Sequence, residues 1–469
     1  MPARSVPLHG IAAATVAALL SVCMPGHASV AAGVVPRLAP DSAELEQPLA
    51  ADRGTAAAMA VEVGPDGRTI ARVDAVETPP IATPRGDAEL PFGDAPDWQN
   101  TLRIQVGGLA AGDLNGDGRP DLAAVCYQSS SFPPYEDWRN FVYFNDGAGL
   151  AAEAGWISAD QVHSGDAAIA DIDGDGYHDL VVANGGSAYA PNSIYFGSAA
   201  GLATTPGWQS AQPAWAVGMK LVDIDGDGDL DLVTANQGRG QPDVHRPAYL
   251  FRNDGGQLTT TPVWQSAEAS IQNSVAAGDL DGDGRPEIGL AKWVGFTSGV
   301  HLNAGTLPAP APALTFGSGQ GDRGIAFADM DGDGDLDVVI GLDERLHVFL
   351  NDGAGGFADA WTSGRDSSHQ DLLVADLDGD QLPDIVDIDF STGRADLYRN
   401  RPGLPAALPD WSYDAAASGT ALAAADFDGD GMLDLAIGYS GQPSVVVFFN
   451  RLSVEDRLFA DGFEPEGLR

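Results

Sequence analysis

Apolar residues in this chain come in short runs rather than in long or helically spaced stripes. Leu180-Val-Val-Ala183, Val338-Val-Ile-Gly341 and Leu435-Ala-Ile-Gly438 are rich in β-branched residues and lie close to glycines, so they predict buried strands. Before each such run lies a strand of small residues, for example Ala168-Ile-Ala170 or Ala421-Leu-Ala-Ala-Ala425. After it comes a variable polar stretch, then a third apolar run that ends near asparagine: Val142-Tyr-Phe-Asn145, Tyr249-Leu-Phe-Arg-Asn253, Val348-Phe-Leu-Asn351, Val446-Val-Phe-Phe-Asn450. Asn145-Asp-Gly147 and Asn351-Asp-Gly353 are hairpin turns. They lead into a fourth strand that carries a large aromatic residue: Trp98, Trp156, Trp208, Trp264, Trp361 or Trp411, with Phe316 in the remaining copy. The unit is therefore strand A, acidic loop, strand B, variable loop, strand C, hairpin, strand D. Seven acidic loops start 47 to 58 residues apart, and such a period marks one small β unit copied in an array or ring.

Each acidic loop has the form D-x-D/N-G-D-x-x-x-D/E. Its candidate metal ligands are Asp113, Asn115, Asp117 and Asp121; Asp171, Asp173, Asp175 and Asp179; Asp223, Asp225, Asp227 and Asp231; Asp279, Asp281, Asp283 and Glu287; Asp329, Asp331, Asp333 and Asp337; Asp376, Asp378, Asp380 and Asp384; Asp426, Asp428, Asp430 and Asp434. Side chains at positions 1, 3, 5 and 9 and the carbonyl of position 7 can close on one hard cation. Calcium takes six to eight oxygens at roughly 2.3–2.6 Å, whereas magnesium demands a stricter octahedron with fewer protein ligands. Up to seven Ca2+ ions are the cofactor these loops predict. Glycine stands at position 4 in every copy and at position 6 in all but one, because the chain must turn sharply there. Gln381 breaks the position 6 rule, so the sixth loop is expected to bind weakest; Asn115 lowers the charge of the first. Asp-Gly clusters also serve as plain turns, and EF-hands share the opening of this loop. An EF-hand, however, needs an acid at position 12, where this chain has Ala124, Val182, Thr234, Leu290, Ile340, Asp387 and Ile437, so six of seven copies lack it.

Four-stranded units repeated around an axis make a β-propeller. The expected fold is all-β: a seven-bladed β-propeller with four-stranded blades and an acidic loop between strands A and B of each. Residues before the first aspartate are small (Gly112, Ala170, Val222, Gly278, Ala328, Ala375, Ala425), as seven crowded inner strands require. The aromatics of strand D are placed to fill the gaps between blades. The last copy ends at strand C near Asn450, while Trp98 sits on a strand D that no earlier blade owns. Residues about 94–104 are therefore expected to complete the last blade, since an open array would expose sheet edges at both ends.

These residues resemble FG-GAP or VCBS-type repeats, the calcium-loop blades of the integrin α-subunit propeller and of many secreted bacterial proteins, over residues about 94–450. The resemblance implies calcium-stabilised blades and binding to proteins or glycans at the rim or one face. Trp208-Gln-Ser210 and Trp264-Gln-Ser266 are also similar to segments of seven-bladed fungal lectins with the same loop type. A fold alone names no ligand.

The flanks read differently. Residues 1–28 have Arg4, an apolar stretch from Ile11 to Val22 and the small-residue site Gly26-His-Ala28, the pattern of a signal peptide too short to span a membrane. A lipoprotein would use Cys23, but Val22 is a poor residue before a lipidated cysteine. Removal of Cys23 leaves Cys126 alone, hence no internal disulfide, and calcium takes over the cross-linking role. Residues 29–93 are rich in Ala, Pro, Thr and Gly and read as a stalk or prosegment, with one hairpin expected around the Pro-Asp-Gly turn of Val61 to Ile70. Residues 451–469 form a tail. The expected location is outside the cytoplasm, secreted or at the cell surface, with the periplasm as an alternative.

The formal net charge is −43, and even seven bound Ca2+ would leave it at about −29. Nucleic acid and anionic membranes, which need basic patches, are unfavourable partners; a monomeric propeller meeting a glycan or an extracellular protein is expected. Alternating strand direction puts the acidic loops and C–D hairpins on one face, and the B–C and D–A connections on the other. The B–C connections are long in the first three blades (residues 128–140, 185–193 and 236–248, the last with Arg239). Loops on a rigid scaffold carry recognition, so the candidate contacts are Tyr135, Trp138, Tyr189, Trp215, His245, Trp293 and Phe296, all on that second face. A binding module is the reading this supports, with a polysaccharide-active propeller enzyme or a purely structural module as alternatives. His163, His245 and His369 fall in predicted face loops, but there is no nucleophile elbow, no H-E-x-x-H and no acid pair with an identifiable purpose outside the acidic loops, so no catalytic residue is assigned.

Overall fold

A computed structural model of the chain describes residues 90–127, 137–185, 189–237, 245–293, 295–319 and 321–452, and the backbone of three strands, Asp41–Ser42, Ala57–Val63 and Gly67–Ala75. The signal-peptide segment with Cys23, Tyr135, Arg239 and the C-terminal segment from Leu458 to Glu464 lie outside the described residues. Two units divide at Ala88. In the first, Ala57–Val63 pairs antiparallel with Gly67–Ala75, so the Pro-Asp-Gly hairpin forms, and Asp41–Ser42 adds parallel to its second strand.

The second unit is a seven-bladed β-propeller of four-stranded antiparallel sheets, without a helix among the described residues. Strands A run Val106–Gly112, Ser164–Ala170, Ala216–Val222, Gln272–Gly278, Ile325–Ala328, His369–Ala375 and Gly419–Ala425. Each pairs with a wholly buried strand B: Asp121–Cys126, Asp179–Asn184, Asp231–Asn236, Glu287–Lys292, Asp337–Leu342, Asp384–Asp389 and Asp434–Tyr439. Strand B is the apolar run of each repeat, buried on both sides because neighbouring blades sandwich it. In blade 5 strands B and C join through a two-residue turn, Asp343–Glu344, both at positive φ. Cys126 is buried and unpaired in the first strand B.

Two features tie one blade to the next. The first is aromatic. Trp98, Trp156, Trp208, Trp264, Phe316, Trp361 and Trp411 on strands D meet Tyr143, Tyr195, Phe251, His301, Phe349, Tyr398 and Phe448 on strands C of the following blade. All seven contacts are edge-to-face with centroids 4.9–5.7 Å apart, the geometry the ring quadrupoles favour.

The second concerns the seventh sheet, whose outermost strand is Trp98–Gln99, paired with strand C Val445–Phe448 through Val446↔Gln99 and Val447↔Trp98. Packing reaches further back than residue 94: Phe92 is buried against Trp411 and Phe448, and the Trp411 indole donates to the Gly93 carbonyl.

Candidate functional site

The acidic loops are organised by their own backbone before any cation is considered. The carboxylate at position 1 accepts amide N–H groups from positions 4, 5 and 6; Asp171, for example, takes those of Gly174, Asp175 and Gly176 at 2.8–3.1 Å. Position 5 accepts the N–H of position 7, as Asp333 does from Asp335. Position 9 is buried in all seven copies and uses both oxygens: one accepts the N–H of position 2, the other an N–H at the end of strand C. Asp337 does this with Met330 and Asn351.

Burial raises the position 9 carboxyls. Asp121, Asp179, Asp231 and Asp337 are pushed up to about 6, Asp434 to about 7, and Asp384 to about 8 by burial and then by the Asp378 charge. Such groups are poor isolated anions, and a bound cation would reverse the penalty.

The acids fit a hard cation. Oxygens of Asp171, Asp173 and Asp179 lie within 4.8 Å of one another, as do those of Asp223, Asp225 and Asp231, of Asp279, Asp281 and Glu287, and of Asp376, Asp378 and Asp384. Two of these acids, Asp225 and Asp378, each hold a buried Oδ1 with no hydrogen-bond partner, while their Oδ2 atoms face Arg252 and Arg399. Positions 1, 3 and 9 therefore converge, whereas position 5 joins a convergent set in blade 5, with Asp329 and Asp331. In blades 2, 3, 4 and 6 the convergent set is formed by positions 1, 3 and 9.

The sixth loop is the odd one. Gln381 has φ +74°, the left-handed region where a side chain is strained. The Arg399 guanidinium also forms an ion pair with Asp378, placing an internal cation at the cluster, which the loop motif gave no means of anticipating. We expect Gln381→Gly to raise stability by about 0.5–1 kcal/mol, the cost of a non-glycine residue at such a φ. Urea denaturation in the presence of calcium measures it.

A further residue class emerges only from the tertiary structure. The asparagine that ends strand C donates its side-chain N–H to the carbonyl of loop position 2 in the preceding blade: Asn145 to Phe427, Asn253 to Ile172, Asn303 to Ile224, Asn351 to Leu280, Asn400 to Met330 and Asn450 to Leu377, all at 2.7–2.8 Å. Each acidic loop except the first is thus latched to the following blade. Blade 2 has Gly197 instead, where a Cβ would stand 2.3 Å from the His178 carbonyl, and His178 Nδ1 lies 3.0 Å from the Asp113 carbonyl of the first loop. The recurring asparagine was visible in the sequence, but its partner a blade away was not. Asn351→Ala is expected to cost about 1–3 kcal/mol, since it strands a buried carbonyl; equilibrium denaturation checks it.

The family now follows. The FG-GAP-like repeat profile matches residues 113–182, 171–234, 223–290, 329–386 and 376–437, together more than half of the chain. The chain belongs to the FG-GAP-like repeat family. Each matched stretch runs from one acidic loop into the strand B of the next blade, so the repeat is read across a blade junction. The interval between loops four and five, where Phe316 replaces tryptophan, is unmatched. No curated protein matches the chain. Among solved structures, the crystal structure of BBS1N in complex with ARL6DN, soaked with lead, is similar with a TM-score of 0.51 and 13% identity over 77% of this chain and 98% of that one. Its mercury-soaked counterpart gives 0.53 and 12% over 76% and 96%. At such identity the likeness concerns the fold.

On the opposite face of this FG-GAP-like propeller the predicted contacts are half-buried, and several sit in cross-blade pairs. Trp138 meets the His163 ring at 5.8 Å, His245 meets Phe296 at 5.2 Å, Arg246 lies over Tyr189 at 5.4 Å, and Arg323 lies over Trp293 at 5.0 Å. The bridge Ala190↔Ala214 brings Trp215 alongside Tyr189. Phe390, 41% exposed on the blade 6 B–C turn, stands 5.7 Å from Arg323 and extends this face beyond the residues selected from loop length. His369 differs from expectation: it begins strand A of blade 6, buried, with Nδ1 2.8 Å from Asp387. Its ring packs against Gly341 of strand B in blade 5, where a Cβ would stand 2.6 Å from it.

Proposed function

We propose that this protein is a calcium-stabilised binding module, secreted or displayed at a cell surface, that engages a glycan or protein ligand through the face opposite the acidic loops, and that it is not an enzyme. The observation that carries this reading is the division of labour between faces. The acidic loops are tied into their own backbone and into neighbouring blades, and positions 1, 3 and 9 would hold calcium, which supplies cross-linking to a ring without disulfides. Their acids are thereby occupied with the scaffold. The other face gathers Trp138, Tyr189, Trp215, His245, Trp293, Phe296 and Phe390 on B–C and D–A connections, where amphipathic rings suit both sugar stacking and peptide contact.

A glycan array and an extracellular-protein pull-down with the calcium-loaded chain separate the two ligand classes. The double substitution of Trp138 and Trp293 by alanine is expected to reduce binding at least about a hundredfold, as loss of two aromatic anchors does. Undiminished binding by a variant that keeps its fold would move the site to the rim.

A further inference from the structure

The seven inner strands enclose a cavity of about 360 Å3, within the range of small-ligand pockets, and its charged groups play no part in the loops or the binding face. Alanine and glycine dominate the inner strands, yet three charged side chains line the lumen: Asp166 on blade 2, Lys220 on blade 3 and Asp371 on blade 6. Blades 2 and 6 stand three positions apart in a ring of seven, the widest separation it allows. Each aspartate is fixed by two backbone amides. Asp166 accepts from Ala167 and, across the junction, Met219; Asp371 accepts from Leu372 and Leu422.

Lys220 is exposed to the lumen and makes no hydrogen bond or ion pair with the described residues. At its register position the other inner strands carry Ala110, Ala168, Ala276, Ala326, Leu373 and Ala423. The lumen thus presents two oriented carboxylates facing each other and one ammonium, with apolar wall from Met219 and Leu422 between. Burial and then the Asp371 charge push the Asp166 carboxyl up to about 7, with the Lys220 charge acting in the opposite direction.

We propose that the central channel is a binding site for a small basic amino acid, a ligand with two cationic groups for Asp166 and Asp371 and one carboxylate for Lys220. The charges then balance, and a side chain of a few methylenes spans the apolar wall. The carboxylates line the lumen and are held in place by backbone amides, and the ammonium supplies the one donor that a plain diamine leaves unused.

Isothermal titration of the calcium-loaded full chain tests this with four probes: L-lysine, L-arginine, L-norleucine, which lacks the second cation, and cadaverine, which lacks the carboxylate. L-lysine or L-arginine is expected to bind, with norleucine and cadaverine each weaker by about tenfold or more, roughly 1.4 kcal/mol. Lys220→Met should abolish the advantage of L-lysine over cadaverine, and Asp371→Asn its advantage over norleucine. Should Asp371→Asn fail to fold, Lys220→Met decides alone, because Lys220 holds no part of the fold together. Absence of binding heat for all four probes up to millimolar concentration, or L-lysine affinity unchanged in Lys220→Met, overturns the proposal.

Discussion

Removing calcium with EGTA is expected to lower the melting temperature by about 10 °C or more. A ligand that binds only the folded state adds roughly 2.7 kcal/mol per site at a hundred times its Kd, and up to seven sites act together. The chelated ring also keeps its convergent acids. Four position 9 carboxyls are raised to about 6 by burial, and beside each lie two further loop carboxylates, those of positions 1 and 5 for Asp121, where position 3 is Asn115, so without a cation every loop sets like charges against one another. The loops are moreover latched to neighbouring blades through the asparagines, so their loosening is transmitted around the ring. Scanning calorimetry with calcium, with EGTA, and with EGTA plus magnesium measures the effect. Magnesium should restore little. A melting temperature that does not move would sink the calcium reading outright.

Comparable in size is the effect of removing residues 1–104. That truncation strips the seventh sheet of its outer strand, leaves Val445–Phe448 as an open apolar edge and deletes Phe92 and Trp98. Loss of Trp98 removes the contact to Tyr143 that joins blade 7 to blade 1, and deletion of a buried large aromatic such as Phe92 costs about 3–5 kcal/mol. The truncated chain is expected to aggregate or to fail to fold, since exposed strand edges pair with other copies. A chain beginning at Glu89 keeps all of these contacts and is expected to match the melting temperature of the full chain. Size-exclusion chromatography and circular dichroism of the two truncations compare them directly; a soluble, cooperative chain starting at residue 105 would mean that the ring tolerates a three-stranded blade.

Much of the architecture was legible along the chain. Buried strands such as Leu180–Ala183 betray themselves by continuous apolar character, and hairpins such as Asn145-Asp-Gly147 by turn chemistry, both properties of adjacent residues. The convergence of the loop acids was legible for the same reason, because their spacing is local. His369 was misplaced because Gly341 of blade 5 and the buried Asp387 decide its surroundings, and neither lies beside it in sequence. Arg399 beside Asp378 escaped notice because 21 residues separate them.

By itself, then, the sequence determined seven copies of a four-stranded acidic-loop unit, because strand alternation, turn residues and ligand spacing are short-range. Tertiary structure alone decided how the copies become one ring with a shared lumen. Asn145 reaches the Phe427 carbonyl across 282 residues, and Asp166 meets Asp371 only through the cavity between them. Such pairings depend on the angle at which each blade packs on the next, which buried apolar area and edge-to-face aromatics set, and no local pattern encodes that angle.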